Sequence, residues 1–186
     1  MMSLLEGVVG GFAGALFTFF GTELQRRFNE RDTAVVALGA ELTYNLSVVC
    51  HVLEKNAPLI QSSGGSHWWE LAAFSDASWQ AVVISGTLSR LKPGAIGPVA
   101  RAYAELGKAN YSAEKLQSGR VDDMKAKQYT VKVLDAGEEI YNALAALEKR
   151  PKYKRLLDKF AQPRDAELCW EDRAQTWREA VGAARS

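Results

Sequence analysis

The chain has 186 residues, with 23 Lys and Arg against 22 Asp and Glu; 47% of residues are hydrophobic and 24% charged, which suits one modest globular domain and excludes collagen-like, disordered and disulfide-scaffold classes. A net charge of +1 gives no bulk attraction to nucleic acid. The two cysteines, Cys50 and Cys169, lie far apart in sequence and match no ligand spacing, which argues against a zinc module and points to a reducing compartment.

The first predicted element is a membrane anchor. Leu4 to Thr22 contains one ionisable residue, Glu6, and is otherwise apolar, glycine or threonine. As a helix this run spans about 28 Å, close to the roughly 30 Å of bilayer hydrocarbon. Glu6 falls near the helix start, where the macrodipole and the headgroups favour a carboxylate. A secretory signal is the first rival reading, but no Lys or Arg precedes the run and no small-x-small cleavage site follows it. A soluble core helix is the second, and Gly7, Gly10, Gly11, Gly14 and Gly21 argue against it, because glycine weakens helices in water and is tolerated in lipid. Arg26, Arg27 and Arg31 follow the span, so the positive-inside rule predicts an N-out, C-in topology with the bulk of the chain cytoplasmic. Gly7, Gly11 and Ala15 repeat every four residues, as do Gly10, Gly14 and Thr18; such small-residue faces predict self-association in lipid.

Glu23 to Asp32 lacks proline and glycine, so the anchor helix is expected to continue into the cytoplasm. Leu24, Phe28, Arg31, Val35, Leu38, Leu42, Asn45, Val49 and Val52 alternate spacings of three and four as in a coiled coil, with Leu46 and Leu53 widening the stripe, and Asn56-Ala57-Pro58 predicts its end near Lys55. Asn56 to Ser66 reads as a flexible linker. Trp68, Trp69, Leu71 and Phe74 then form an apolar cluster before a helix, capped by Ser75 or Asp76, that carries Trp79, Val82, Val83, Leu88 and Leu91. Lys92-Pro93-Gly94 stops it. Long helices are predicted over Ile96 to Gln117 and Val121 to Glu148, a short basic helix over Lys152 to Ala161, and an amphipathic one over Asp165 to Ala184 carrying Leu168, Trp170, Trp177 and Val181.

Residues for chemistry are sparse. His51 and Glu54 share a helix face beside Cys50, but no second matching pair completes a metal site, so no metal and no cofactor is expected. His67, beside Trp68 and Trp69, fits a pocket wall or a packed helix start equally well. No nucleophile elbow and no phosphate-cradling loop occurs, and the chain reads as non-catalytic. Asn45 and Arg31 interrupt the heptads; a buried polar residue there sets register, and a hydrogen bond within the bundle is the competing reading. Lys149, Arg150, Lys152, Lys154, Arg155 and Lys159, interleaved with Tyr153, Leu156, Leu157 and Phe160, suggest contact with anionic lipid or a partner, against nucleic-acid backbone or a merely solvated face.

The expectation is therefore an all-α, single-pass membrane protein, a layout familiar among small bacterial inner-membrane proteins: a transmembrane anchor over 1–27, a cytoplasmic antiparallel bundle of about four long helices over 28–162, and a C-terminal amphipathic helix over 163–186. Its expected role is self-assembly or partner docking at the inner membrane face. Trp68, Trp69, Trp79 and Trp177 are expected as core or interface anchors, and the expected partners are membrane lipid, a second copy and another membrane protein. A pore-type effector and an accessory subunit of a larger membrane complex are the alternatives.

Overall fold

Most of the chain's architecture hangs on one helix. α1 runs unbroken over Met2–Ile60, so the apolar run of residues 4–22 and the heptad stripe after it belong to a single rod. The computed structural model describes residues 2–60, 62, 68–118, 122–161 and 164–182, with side chains from Asn29 onward, that of Arg90 excepted. After α1 come α2 (Ala77–Ile84), a 3-10 turn (Thr87–Arg90), α3 (Pro93–Gln117), α4 (Asp123–Glu148), α5 (Pro151–Phe160) and α6 (Arg164–Gly182). The fold is all-α, and no strand occurs among the described residues.

The heptad stripe is the core. Val35, Leu38, Leu42, Leu46, Val49, Val52 and Leu53 are fully buried on α1, facing Tyr129, Val133, Ile140, Ala143 and Leu144 of α4. Asn56 meets Thr130 and Val49 approaches Gly137, so α4 runs antiparallel to α1. α3 lies antiparallel to α4, with Lys132 donating to Ser112 and Arg101 to Glu139. α5 and α6 run along α1 in its own direction: Lys152 pairs with Asp32 and Leu157 packs on Gly39, while Cys50 meets Ala166 and Glu54 meets Arg173. Trp170 and Trp177 place α6 within the shared core, at 2% and 4% exposure.

Two helix ends differ from the sequence reading. α1 passes Lys55 and carries Pro58 inside its last turns. An interior proline costs about 3 kcal/mol; here the break falls near the end, and burial of Asn56, Ala57 and Ile60 offsets it. The helix expected to carry Val82 through Leu91 stops at Ile84, because Gly86 adopts φ 69° and turns the chain into the 3-10 segment that holds Leu88. Elsewhere the boundaries follow local chemistry: Pro93 and Pro151 open α3 and α5, and Asp122 caps α4 by accepting from the Met124 N–H at 2.9 Å.

Among the described residues one helical stretch, Asn29–Ile60, is long and apolar enough to cross a membrane, and more than half of its most apolar 18-residue window is buried in the bundle. Those residues are the core stripe itself. The proposed anchor lies N-terminal to them, where the helix backbone is described and the side chains are not.

Candidate interaction surfaces

Trp68–Asp76 has no regular secondary structure, yet its backbone is held at nearly every second residue by side chains from three helices. Asn56 of α1 accepts from the Glu70 N–H at 2.8 Å and donates to its carbonyl at 2.9 Å. Tyr129 of α4 accepts from the Ala72 N–H at 3.0 Å and donates to the Ala72 carbonyl at 3.3 Å. Asn110 of α3 engages Phe74 in both directions, at 2.8 and 2.9 Å, and Asn45 of α1 does the same for Ser75, at 2.9 and 2.8 Å. In an extended chain residues 70, 72 and 74 turn the same edge inward, so the carboxamides stand in for a neighbouring strand. Burial pushes the Tyr129 phenol up to about 12, although its bond to Ala72 pulls the other way.

Where this segment enters α2, Glu41 of α1 takes over. Its carboxylate accepts from Ser75 Oγ at 2.9 Å, the Ser78 N–H at 2.8 Å, the Trp79 N–H at 3.4 Å and the Tyr103 hydroxyl at 2.6 Å. Burial alone would raise its pKa; the four donors outweigh that and hold the carboxyl below the usual carboxylate range. The Tyr103 phenol is pushed up, by burial first and then by Glu41. Asp76, the expected cap, makes no side-chain capping bond, so a carboxylate from another helix satisfies the free N–H groups of α2.

From Glu41 toward the N-terminal end of the bundle, α1 and α2 diverge around an open groove of about 900 Å³. Its walls are mostly short side chains, including Thr33, Ala37, Ala77, Ala81 and Ser85, with Glu30 and Val82 among them and Asn29 at one end. Ile84, at the same end of α2, is 84% exposed.

The other expected residues are distributed as follows. Asn45 is fully buried and spends its carboxamide on Ser75. Arg31 lies over the Tyr153 ring, 5.7 Å from its centroid. Trp68 is 95% exposed and therefore no core anchor: the segment is clamped through its backbone from Glu70 onward, beyond the indole. Trp69 packs against the core and donates to Asp123 at 3.0 Å, and Trp79 stacks on Tyr103 at 5.1 Å between centroids. On α5, Tyr153 and Leu157 are buried while Lys152, Lys154, Arg155 and Lys159 face solvent. Two of these are engaged locally: Lys152 reaches Asp32 at 2.6 Å and Lys154 reaches Glu148 at 3.9 Å. Lys149 and Arg150 sit at the α4–α5 turn, on the side where α1 enters the bundle. Gly7, Gly10, Gly11, Gly14, Ala15 and Thr18 lie outside the residues whose side chains are described.

Cys50 and Cys169, remote in sequence, meet across α1 and α6. The Cys50 thiol donates to the Ala166 carbonyl at 3.9 Å and is pushed up by burial and by the neighbouring Cys169 thiol. His51 is exposed and Glu54 pairs with Arg173, and no cluster of three or more metal-binding side chains occurs among the described residues.

Sequence reasoning missed Glu41, Asn56 and Tyr129 as clamps. Asn110 was missed as well, and the signal available for it was an asparagine among residues spaced as a core face, as with Asn45. Compared with known proteins, the chain matches no family model, no curated protein and no solved structure.

Proposed function

We propose that the chain is a single-pass, membrane-anchored helical bundle that acts by self-assembly and partner docking at the inner membrane face, without chemistry of its own. The observation that carries this reading is the continuity of α1: the apolar run over residues 4–22 and the core helix of the bundle are one uninterrupted element over Met2–Ile60. A run of 19 nearly uncharged residues is about as long, as a helix, as a bilayer's hydrocarbon is thick, which supports reading that end of α1 as the anchor. The arginines after the run favour an N-out, C-in arrangement. Contact of Lys149 and Arg150 with anionic headgroups is supported by their position at the end where α1 enters, beside Lys152, which pairs with Asp32, whereas Lys159 lies further along α1.

The test is carbonate extraction and vesicle flotation of the full chain. It is expected to stay with the lipid after alkaline washing and to float with vesicles. Recovery in the supernatant without detergent overturns the reading.

A further inference from the structure

We propose that the groove between α1 and α2 receives α1 of a second copy of this chain, in a parallel two-fold pair that begins in the anchor and continues along the bundle. The proposal rests on the anchored reading above and assigns self-assembly to a surface.

Four observations carry it. First, the bundle leaves one side of α1 uncovered. Asn29, Thr33, Tyr44 and Ser47 are exposed, Ala40 is half-buried between them, and at 100° per residue all five fall within about 60° of one another. Asn29 and Thr33, with Glu30, Ala34 and Ala37, also form the α1 wall of the groove, so face and groove adjoin and share two residues. Second, that side carries no charge from Thr33 to Ser47: Asp32 is turned to Lys152 of α5, and Glu41 is consumed by α2 and Tyr103. In a parallel two-fold pair each residue near the axis meets its own counterpart, so a charged face would repel itself; from Thr33 to Ser47 this one does not, and the one acidic residue of the groove wall, Glu30, precedes that stretch.

Third, the face has a continuation. Because α1 is unbroken, helical register puts positions 11, 15, 18 and 22 on the same side as Asn29, Thr33 and Ala40. These positions are Gly11, Ala15, Thr18 and Thr22, residue types that let helix axes approach closely in lipid. Two copies inserted in one bilayer in the same direction emerge level with each other, which brings the second α1 alongside the first groove. Fourth, the groove suits a helix: apart from Asn29, Glu30 and Val82 its walls are Ala, Ser and Thr, and Ile84, on the α2 that forms one wall, leaves apolar surface for a neighbour to cover.

The experiment is disulfide trapping of the full-length chain in membranes. Thr18→Cys, Thr33→Cys and Ala40→Cys are oxidised with copper phenanthroline, with the parent chain and Lys115→Cys on α3 as controls. Covalent dimers at 18, 33 and 40, with none in the controls, are expected, since equivalent positions near a two-fold axis come within disulfide reach. Adding Ala40→Arg, which puts like charges opposite each other, should abolish the dimer at 33 by more than tenfold while circular dichroism of the variant stays that of the parent. Trapping at 18 without trapping at 33 or 40 overturns the groove pairing and leaves the anchored reading standing. Protection of the cysteine at 33 from maleimide without a dimer assigns the groove to another occupant and also overturns it. A chain recovered in the supernatant fails both readings at once.

Discussion

Trp170 of α6 occupies the space that a side chain on Gly137 of α4 would fill: a Cβ there would run into the indole, and it would also lie 2.8 Å from Val49 Cγ1 of α1. The glycine is what lets α1, α4 and α6 meet at one point. Gly137→Val should therefore lower stability by about 3 kcal/mol or more, from overpacking. Gly107→Ala, on α3 where nothing lies within 4 Å, should instead raise it by about 0.5–1 kcal/mol. Thermal melts of the two variants beside the parent check the opposite signs.

The carboxamide clamps predict local rather than global loosening. Asn56→Ala removes both bonds to Glu70 and the one to Thr130, at a cost of about 1–3 kcal/mol for polar groups left unpaired. Amide hydrogen exchange should accelerate at Glu70, while Val133 and Leu144 in the core of α4 keep their protection.

Two carboxylates should show opposite pH behaviour. Glu41 has a folded pKa below its unfolded value, so its contribution is present above the unfolded pKa and lost as pH falls through the folded one. Glu41→Gln should destabilise the bundle at pH 7 and lessen its acid sensitivity. Glu167 is raised to about 6, by burial first and then by Glu148 and Glu171, so ionising it opposes folding, and that penalty builds between about pH 4.5 and 6. Glu167→Gln should stabilise at pH 7 by about 1 kcal/mol after allowance for solvent screening, and have no effect below pH 4. Denaturation midpoints measured across this range separate the two.

Thiol reactivity should split in the same chain. Cys50 is buried with its thiol pushed up, whereas Cys169 is half-buried. Maleimide should label one site per folded chain, at Cys169, and both after denaturation. Mass spectrometry of tryptic peptides reads the outcome.

What could be read in advance divides along a physical line. Leu38, Leu42, Val49 and Leu53 were legible because hydrophobic spacing is a local property of a helix, and so was the break at Pro93, which proves also to open α3; the Asp122 cap was not read. Pro58 misled because its local cost is outweighed by Asn56 and Ile60, whose partners lie on a distant segment and in the core. Glu41 was invisible for the same reason: its donors at Ser75, Ser78, Trp79 and Tyr103 come from 34 to 62 residues away. Trp68 shows the converse for the core half of its expected role, since an indole beside other aromatics looks like core, and here it stands 95% exposed.

A rod of 59 residues measures about 88 Å and, between Met2 and Ile60, has no joint in which to lose a torque. Asn45, Asn56 and Glu41 are keys cut into its far half, gripping the segment that leads into α2. A roll of the N-terminal half of the rod would therefore be felt at that grip, and with it at the strap and its exposed Trp68.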